Sequence, residues 1–323
     1  MIKDILVFAL TSNVSLTDKV CSLLGIQRSE AEILHFADGE CLATSKVDVR
    51  GKKIYIIQST CSPVNDRIME TLLFIDGIKR ANCKEITLIM PYYGYARQDR
   101  IAHANEPISA RLVADLFSNA GVSRVLTMEL HTPQIQGFFS VPLDNLTPSV
   151  LFAETLNELF RKDNINTHDV AIVSPDHGAM YRARDVSNYV PNSSLVIIDK
   201  RRPKPNVAEI TNIIGEIENK ICVMVDDIID TGGTILAGAK VLKEKGAKKI
   251  YICVSHALFS HNALKKFEEA DFVNGVFVTD TIEHPEFYHS NKIKVVSIAS
   301  MIADVIKSHE SHENIKNIYT RFH

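Results

Sequence analysis

The sequence predicts an α/β protein with mostly parallel sheets, on three observations. Short apolar runs of strand character alternate with segments of helical periodicity along the chain, the pattern of strand–helix–strand units. The length of 323 residues exceeds the range in which one core keeps growing, so two domains are expected. Between the apolar run "ICVMV" and an amphipathic helix stands the turn "DDIIDTGGT", residues 226–234, where α/β proteins place their ligands.

In order, the strands are "ILVFAL", "KIYIIQS", "EITLIMP" and "RVLTMEL", then "VAIVSPD", "SLVIID", "ICVMV", "KIYICVSHALF", "FVNGVFV" and "IKVVSIAS". Their nearly unbroken apolar character implies burial on both faces, as in a parallel sheet. Helices separate most of them. "PVNDRIMETLLFIDGIKRAN" starts at Pro63, and "ISARLVADLFSNAG" ends at Gly121, the usual proline-first, glycine-last punctuation. "SVLFAETLNELFRK" and "SMIADVIKSHE" follow the same 3.6-residue period. "ILAGAKVLKEKGA" has apolar positions at Ile235, Leu236, Ala239 and Leu242 and closes on Gly246. The softer stretch "VPLDNLTPS", residues 141–149, marks a boundary that divides the chain into 1–147 and 148–323.

A formal net charge of -3 with 46% hydrophobic and 23% charged residues argues against a general nucleic-acid or anionic-membrane binder. The six cysteines form no C-x-x-C pair, so neither a zinc ribbon nor a thioredoxin motif is present and reduced thiols are expected. The opening "MIKDILVFAL" reads as a first strand, too short for a signal segment. No run approaches the roughly 18 apolar residues of a membrane span, which points to a soluble, cytoplasmic protein. The His-rich tail "SHESHENIKNIYTRFH" reads as a solvated helix end in preference to a metal site.

Gly232 and Gly233 let the backbone of the 226–234 turn fold tightly with its amides inward, and the helix behind adds its positive end. Together they make a phosphate cradle, to which Thr231 and Thr234 can donate hydroxyls. Asp226 and Asp227 suit a cis-diol, so a sugar phosphate satisfies both halves of the turn. A plain helix N-cap with surplus acids is the structural alternative; the spacing excludes a calcium loop. Neither G-x-x-x-x-G-K-[ST] nor G-x-G-x-x-G occurs, so any nucleotide is gripped by other means.

Five further stretches carry chemistry: "FADGE" (36–40), "PYYGYARQDR" (91–100), "ELHTPQIQGFF" (129–139), "SPDHG" (174–178) and "DKRRPKPN" (199–206). Arg97, beside Gln98 and Asp99, can bridge phosphate oxygens and stack on an adenine. "FADGE" by itself reads as an Asp-Gly hairpin turn between two strands. His131 and Asp176 end strands, positions equally suited to capping or to a magnesium ion that takes its remaining ligands from phosphates. The cations and two prolines of "DKRRPKPN" read as a solvated basic loop or as a clamp for a triphosphate.

The 226–234 turn resembles the ribose-5-phosphate loop shared by type I phosphoribosyltransferases and ribose-phosphate pyrophosphokinases. With the other five stretches, in order and over nearly the whole chain, the sequence resembles the ribose-phosphate pyrophosphokinases. That resemblance implies two similar domains of the type I phosphoribosyltransferase fold, each with a mostly parallel sheet flanked by helices. The N-terminal one takes the ATP side, the C-terminal one the ribose 5-phosphate side, and the last helix packs back on the N-terminal domain. It implies magnesium-dependent transfer of the pyrophosphoryl group of ATP to ribose 5-phosphate. Phe36, Asp38, Gly39, Glu40, Arg97, Gln98 and Asp99 would bind ATP, and His131 and Asp176 the Mg2+. Lys200 and Arg202 would be catalytic, on a loop that closes over the substrates. Asp226, Asp227, Asp230, Thr231, Gly232, Gly233 and Thr234, with Arg202, would bind ribose 5-phosphate. The partners are then ATP and ribose 5-phosphate, without nucleic acid or membrane, in a homo-oligomer, a hexamer built from dimers, whose copies share active sites.

The sequence departs from the family pattern at Glu129, where Asp is commoner, at Ile101, His103 and Asn105, at Ala179, and in "ALFSHNALKK" and "NIYTRFH". Two rival readings follow, a catalytically silent regulatory relative and a lone phosphoribosyltransferase. Retention of Lys200, Arg202, His131, Asp176 and the whole 226–234 turn opposes the first, and the five other stretches oppose the second.

Overall fold

The structure, a computed structural model, describes residues 4–204 and 207–312, with the side chains of 200–211 outside the description. The chain begins with β1 (Ile5–Ala9), α1 (Val14–Leu24), β2 (Ala31–His35), β3 (Cys41–Ser45), β4 (Lys53–Ile57) and α2 (Val64–Arg80). It continues with β5 (Glu85–Met90), α3 (Ser109–Ala120), β6 (Arg124–Met128) and β7 (Leu143–Leu146). The second half runs through α4 (Ser149–Lys162), β8 (Val170–Ser174), α5 (Met180–Asn188), β9 (Ser194–Lys204), β10 (Val207–Ile214), β11 (Ile221–Ile229) and α6 (Gly233–Glu244). It closes with β12 (Lys249–Ala257), α7 (Ala263–Glu269), β13 (Gly275–Thr279), β14 (Ile293–Val296) and α8 (Ala299–Ser311).

These elements form two compact units. The first holds residues 4–147, Thr281–Glu283 and 297–312; the second holds Pro148–Asp280 and His284–Val296. Helix α4 therefore belongs to the second unit although it follows the last strand of the first, and α8 belongs to the first although it follows β14. Apart from these two helices the units run through one succession of elements: strand, helix, two hairpin strands, strand, helix, strand, helix, strand, a 3-10 turn and a strand.

The first unit's sheet has the order β1-β4-β5-β6-β7 and is parallel throughout. Its core on one face gathers Phe8, Ile54, Ile56, Phe74, Leu88 and Phe117. The hairpin β2–β3 stands as a separate two-stranded sheet, with β3 packed on α2. The second sheet has the order β10-β9-β8-β11-β12-β13-β14, parallel except for the antiparallel β9–β10 pair. Along β11 the alternation of a pleated strand is plain: Cys222 and Met224 enter one core, while Ile221, Val223 and Val225 enter the core on the other face. Burial on both faces is why "ICVMV" carries no polar residue. Each such side chain contributes about 1.5–3 kcal/mol on burial.

Three expectations from the sequence are corrected. The "DDIIDTGGT" stretch is not all turn: Asp226 and Asp227 lie within β11, which stays paired with β12 as far as Ile229↔Ala257. Backbone pairing thus extends the strand past the point where its apolar character ends. Residues 199–204 of the "DKRRPKPN" stretch are not a loop, because their backbone continues β9 and 207 begins β10; "VAEITNII" supplies the pairing partner that its weak periodicity concealed. "VPLDNLTPS" is not a plain connection, since Leu143–Leu146 forms the edge strand β7.

Candidate active site

In the second unit, β8 leads to β9 on one side and β11 leads to β12 on the other, so β8 and β11 flank the point where strand order reverses. Pairing between them stops at Met224↔Val173, while β11–β12 pairing runs on. The last residues of β11 therefore have an open edge at the carboxyl end of the sheet, the place where ligands of open α/β sheets bind.

The turn at this edge is built for close approach. Gly232 takes a left-handed φ of 76°, and a Cβ there would meet the Phe267 ring at 2.7 Å, so no other residue fits without displacing the ring. Phe267 is fixed by stacking on Phe259 with centroids 5.2 Å apart, and Lys266 Nζ donates to the Thr231 carbonyl at 3.0 Å. Gly232 is also the N-cap of α6 and has no side chain with which to cap it. The amides of the first turn, from Gly233 and Thr234 onward, thus face outward with the positive end of the helix behind them. Thr231, Gly233 and Thr234 are exposed and Asp230 is half-buried.

Asp227 is buried, and its carboxylate faces the Nη2 of Arg182 of α5 at 3.4 Å, a pair in which both side chains are 4–5% exposed. A buried carboxylate demands such a counter-charge, but nothing in the sequence says which basic residue supplies it. Asp226 accepts the Asp227 amide at 2.9 Å. Burial, and after it the Asp227 carboxylate, push the Asp226 carboxyl well above the usual carboxylate range. Such a group favours a ligand that brings it hydroxyls or positive charge.

On the adjoining strand end, the Asp176 Oδ1 accepts the Ala179 amide at 2.9 Å, leaving its other oxygen available. Ala179, where the family pattern has glycine, is buried with φ -84° at the N-cap of α5; this right-handed conformation asks for no glycine. His177 Nε2 lies 3.2 Å from Asp199 of β9. Lys200 and Arg202, the expected catalytic pair, have backbones in β9 but side chains outside the described residues.

In the first unit three loops at the carboxyl ends of β4, β5 and β6 are tied together. Gly94 donates to Thr60 Oγ1 at 2.6 Å, and a Cβ at Gly94 would lie 2.3 Å from the Thr60 carbonyl. Thr132 Oγ1 donates to Asp99 at 2.7 Å, which joins the Arg97–Asp99 loop to the segment carrying His131. Gln98 accepts from Ser109 Oγ at 2.6 Å, so its side-chain oxygen anchors the loop to α3. Arg97 is exposed and His131 half-buried. Glu129 is buried at a left-handed φ of 38°, the kind of strained position that functional loop ends retain. The Phe36–Glu40 tip closes the β2–β3 hairpin through Phe36 N to Glu40 O at 2.8 Å and Gly39 at φ 94°. Phe36 is 51% exposed there, and Asp38 and Glu40 are exposed beside it.

The sequence reading missed Arg182, Thr132 and the Phe259–Phe267 floor. Only Thr132, adjacent to His131, carried a positional signal.

Comparison with known proteins covers nearly the whole chain. The family described as the N-terminal domain of ribose phosphate pyrophosphokinase matches residues 5–121, and the phosphoribosyl synthetase-associated domain matches residues 157–320. A ribose-phosphate pyrophosphokinase of Thermotoga maritima is 45% identical over 316 residues, 97% of each chain. Ribose-phosphate pyrophosphokinase 1 of Listeria monocytogenes is 43% identical over 306 residues, 94% of each. The crystal structure of phosphoribosylpyrophosphate synthetase from Mycobacterium smegmatis superposes with a TM-score of 0.87 at 34% identity, covering 96% of this chain and 100% of that one. The chain belongs to the ribose-phosphate pyrophosphokinase family.

Proposed function

We propose that the protein transfers the pyrophosphoryl group of ATP to the 1-hydroxyl of ribose 5-phosphate, giving 5-phosphoribosyl 1-pyrophosphate and AMP. The observation that carries the reading is the glycine N-cap of α6, with Gly232 seated on Phe267, at the strand-order reversal of the second unit. The 5-phosphate binds the amides and hydroxyls from Asp230 to Thr234. Asp226 accepts the ring hydroxyls, and Asp227, held by Arg182, fixes the backbone from which Asp226 projects. ATP binds the loops of the first unit, with Arg97 on its phosphates or adenine and Gln98 and Asp99 shaping the loop. The exposed Phe36, Asp38, Gly39 and Glu40 tip serves the adenine bound by a neighbouring copy in a homo-oligomer, a hexamer by family resemblance.

The anomeric oxygen forms a bond to the β-phosphorus of ATP as the bond from that phosphorus to the α-phosphate oxygen breaks, and the hydroxyl proton is lost. Lys200 and Arg202 meet the charge that spreads over the transferring oxygens. Among the described residues no group of three or more His, Cys, Asp or Glu side chains could hold a metal ion. By family resemblance His131 and Asp176, each of a donor type that Mg2+ accepts, would hold a Mg2+ ion that takes its other ligands from phosphates and water; when bound, it would neutralise phosphate charge. No helix among the described residues is long and apolar enough to cross a membrane, in keeping with a place in the cytoplasm.

The test is a coupled assay of AMP and 5-phosphoribosyl 1-pyrophosphate formed from ATP and ribose 5-phosphate, with and without magnesium. Stoichiometric formation of both, only with the metal, is expected. Absence of AMP would identify a silent relative, and consumption of 5-phosphoribosyl 1-pyrophosphate with a free base a phosphoribosyltransferase.

A further inference from the structure

A second polar pocket, of about 400 Å³, lies in the first unit at the opposite end of the sheet from the nucleotide loops. It opens at the amino ends of β4, β5 and β6, so the six residues of β5 set it roughly 20 Å from the loop after β5. The volume falls in the range of small-molecule sites.

Strand register explains its chemistry. Lys53 pairs with Glu85, Tyr55 with Thr87, and Thr87 with Arg124. Side chains alternate along a strand and register partners share a face, so these five stand together on one face, while Ile54, Ile86 and Val125 enter the core on the other. The end of α8 covers the polar stripe with Ser308, His309, Glu310 and His312.

Part of this polarity secures the helix. Lys53 pairs with Glu310 at 3.1 Å, and Tyr55 donates to the same carboxylate at 2.8 Å. Arg124 Nη1 donates to Asp144 at 2.8 Å, and His309 Nε2 lies 3.3 Å from that carboxylate. What remains is not needed for docking. Glu85 has no hydrogen-bond or ion-pair partner among the described residues, nor does the hydroxyl of Thr87. Arg124, whose side chain is 33% exposed, spends one arm of its fork on Asp144. An open guanidinium edge suits a carboxylate, and an uncompensated carboxylate beside the carbonyl end of a helix suits an ammonium group.

We propose that this pocket binds a small zwitterion of the free α-amino acid class, its carboxylate on the open edge of Arg124 and its ammonium on Glu85, with Thr87 between them. A lone phosphate would meet Glu85 and Glu310, and a simple amine would meet Lys53 and Arg124, so neither matches both ends.

Isothermal titration of the full-length protein with glycine, L-serine, L-glutamine and L-glutamate, each alone, tests this against acetate, methylamine and inorganic phosphate. At least one amino acid is expected to bind saturably at about 1 mM or tighter. Glu85→Gln and Arg124→Lys are each expected to weaken that binding at least tenfold. The lysine variant retains the charge facing Asp144, so it reports the lost fork even if the glutamine variant melts early. The proposal is overturned if no amino acid binds, if acetate or methylamine binds equally well, if phosphate displaces the bound amino acid, or if the folded variants bind as the parent does.

Discussion

The two units run through one succession of elements, yet they treat the turn after the strand that follows the hairpin in opposite ways. After β11 the turn is left open: two glycines, one of them the N-cap of α6, between the exposed Thr231 and Thr234. After β4 the equivalent turn is filled by its own side chains. Ser59 Oγ donates to the Thr281 carbonyl at 2.6 Å and accepts the Tyr92 amide at 3.0 Å, and Thr60 Oγ1 accepts Gly94. Ser12 Oγ donates to Gln58 at 2.8 Å, and the buried Glu70 accepts from Thr11 and Gln58. One fold thus supports an open turn, the proposed phosphate cradle, or a closed polar core, according to whether glycine or hydroxyl residues occupy the turn. The hairpins diverge as well. In the second unit β9 and β10 extend the main sheet, and in the first β2 and β3 stand apart on α2.

The largest effect is expected at the extended hairpin: Lys200→Ala should lower kcat by about 10²–10³-fold with an unchanged melting temperature, and full turnover would remove Lys200 from the chemistry. Next comes the closed turn, where Gly94→Ala sets a Cβ 2.3 Å from the Thr60 carbonyl. Backbone cannot yield there, so a loss of about 3 kcal/mol in urea unfolding is expected. Gly232→Ala at the open turn should act on binding first, raising the KM for ribose 5-phosphate about tenfold or more while the KM for ATP stays put. Equal changes in both would mean that the turn is not specific to the sugar.

The smallest effect concerns Glu70. Burial raises its carboxyl above the ordinary value, against the partial offset of its bonds from Thr11 and Gln58 and of the Arg67 charge. The folded state then holds this proton more tightly than the unfolded one. Its contribution to stability is full below the ordinary glutamate pKa of about 4.3 and lost as pH rises through the folded value. Glu70→Gln should flatten this limb of the stability profile, and parallel profiles for both proteins would refute the assignment. Asp144 carries the opposite sign. Burial opposes its ionisation, but His309 and Arg124 outweigh burial and hold its carboxyl low, so its contribution is present above the ordinary aspartate range and lost in acid.

The sequence made the alternation legible wherever one period dominated. "SVLFAETLNELFRK" coincides with α4, Ser149–Lys162, because Phe152, Ala153, Leu156 and Phe160 recur on one stripe that enters the core. Elements whose residues serve two masters were hidden. The α5 helix, "MYRARDVSN", is strongly polar because it carries Arg182 to Asp227, and β7 carries Asp144 on an edge strand. β9 and β10 are held by pairing with each other and with β8, which overrides the charge and prolines of "DKRRPKPN". At the candidate site, residue types were readable where glycine and acid coincide in a short turn. Long-range partners were not, because the Asp227–Arg182 pair spans 45 positions that no local pattern connects.

The exchange of α4 and α8 between the units has a consequence for synthesis. A nascent chain released only as far as Thr147 lacks α8, so α1 and the Lys53–Tyr55 stripe that α8 contacts stay wet until α8 itself leaves the ribosome, after the whole of the second unit. The amino-terminal half is therefore completed by the carboxyl-terminal end, and a truncation near residue 298 would strip a layer from the part of the molecule translated first.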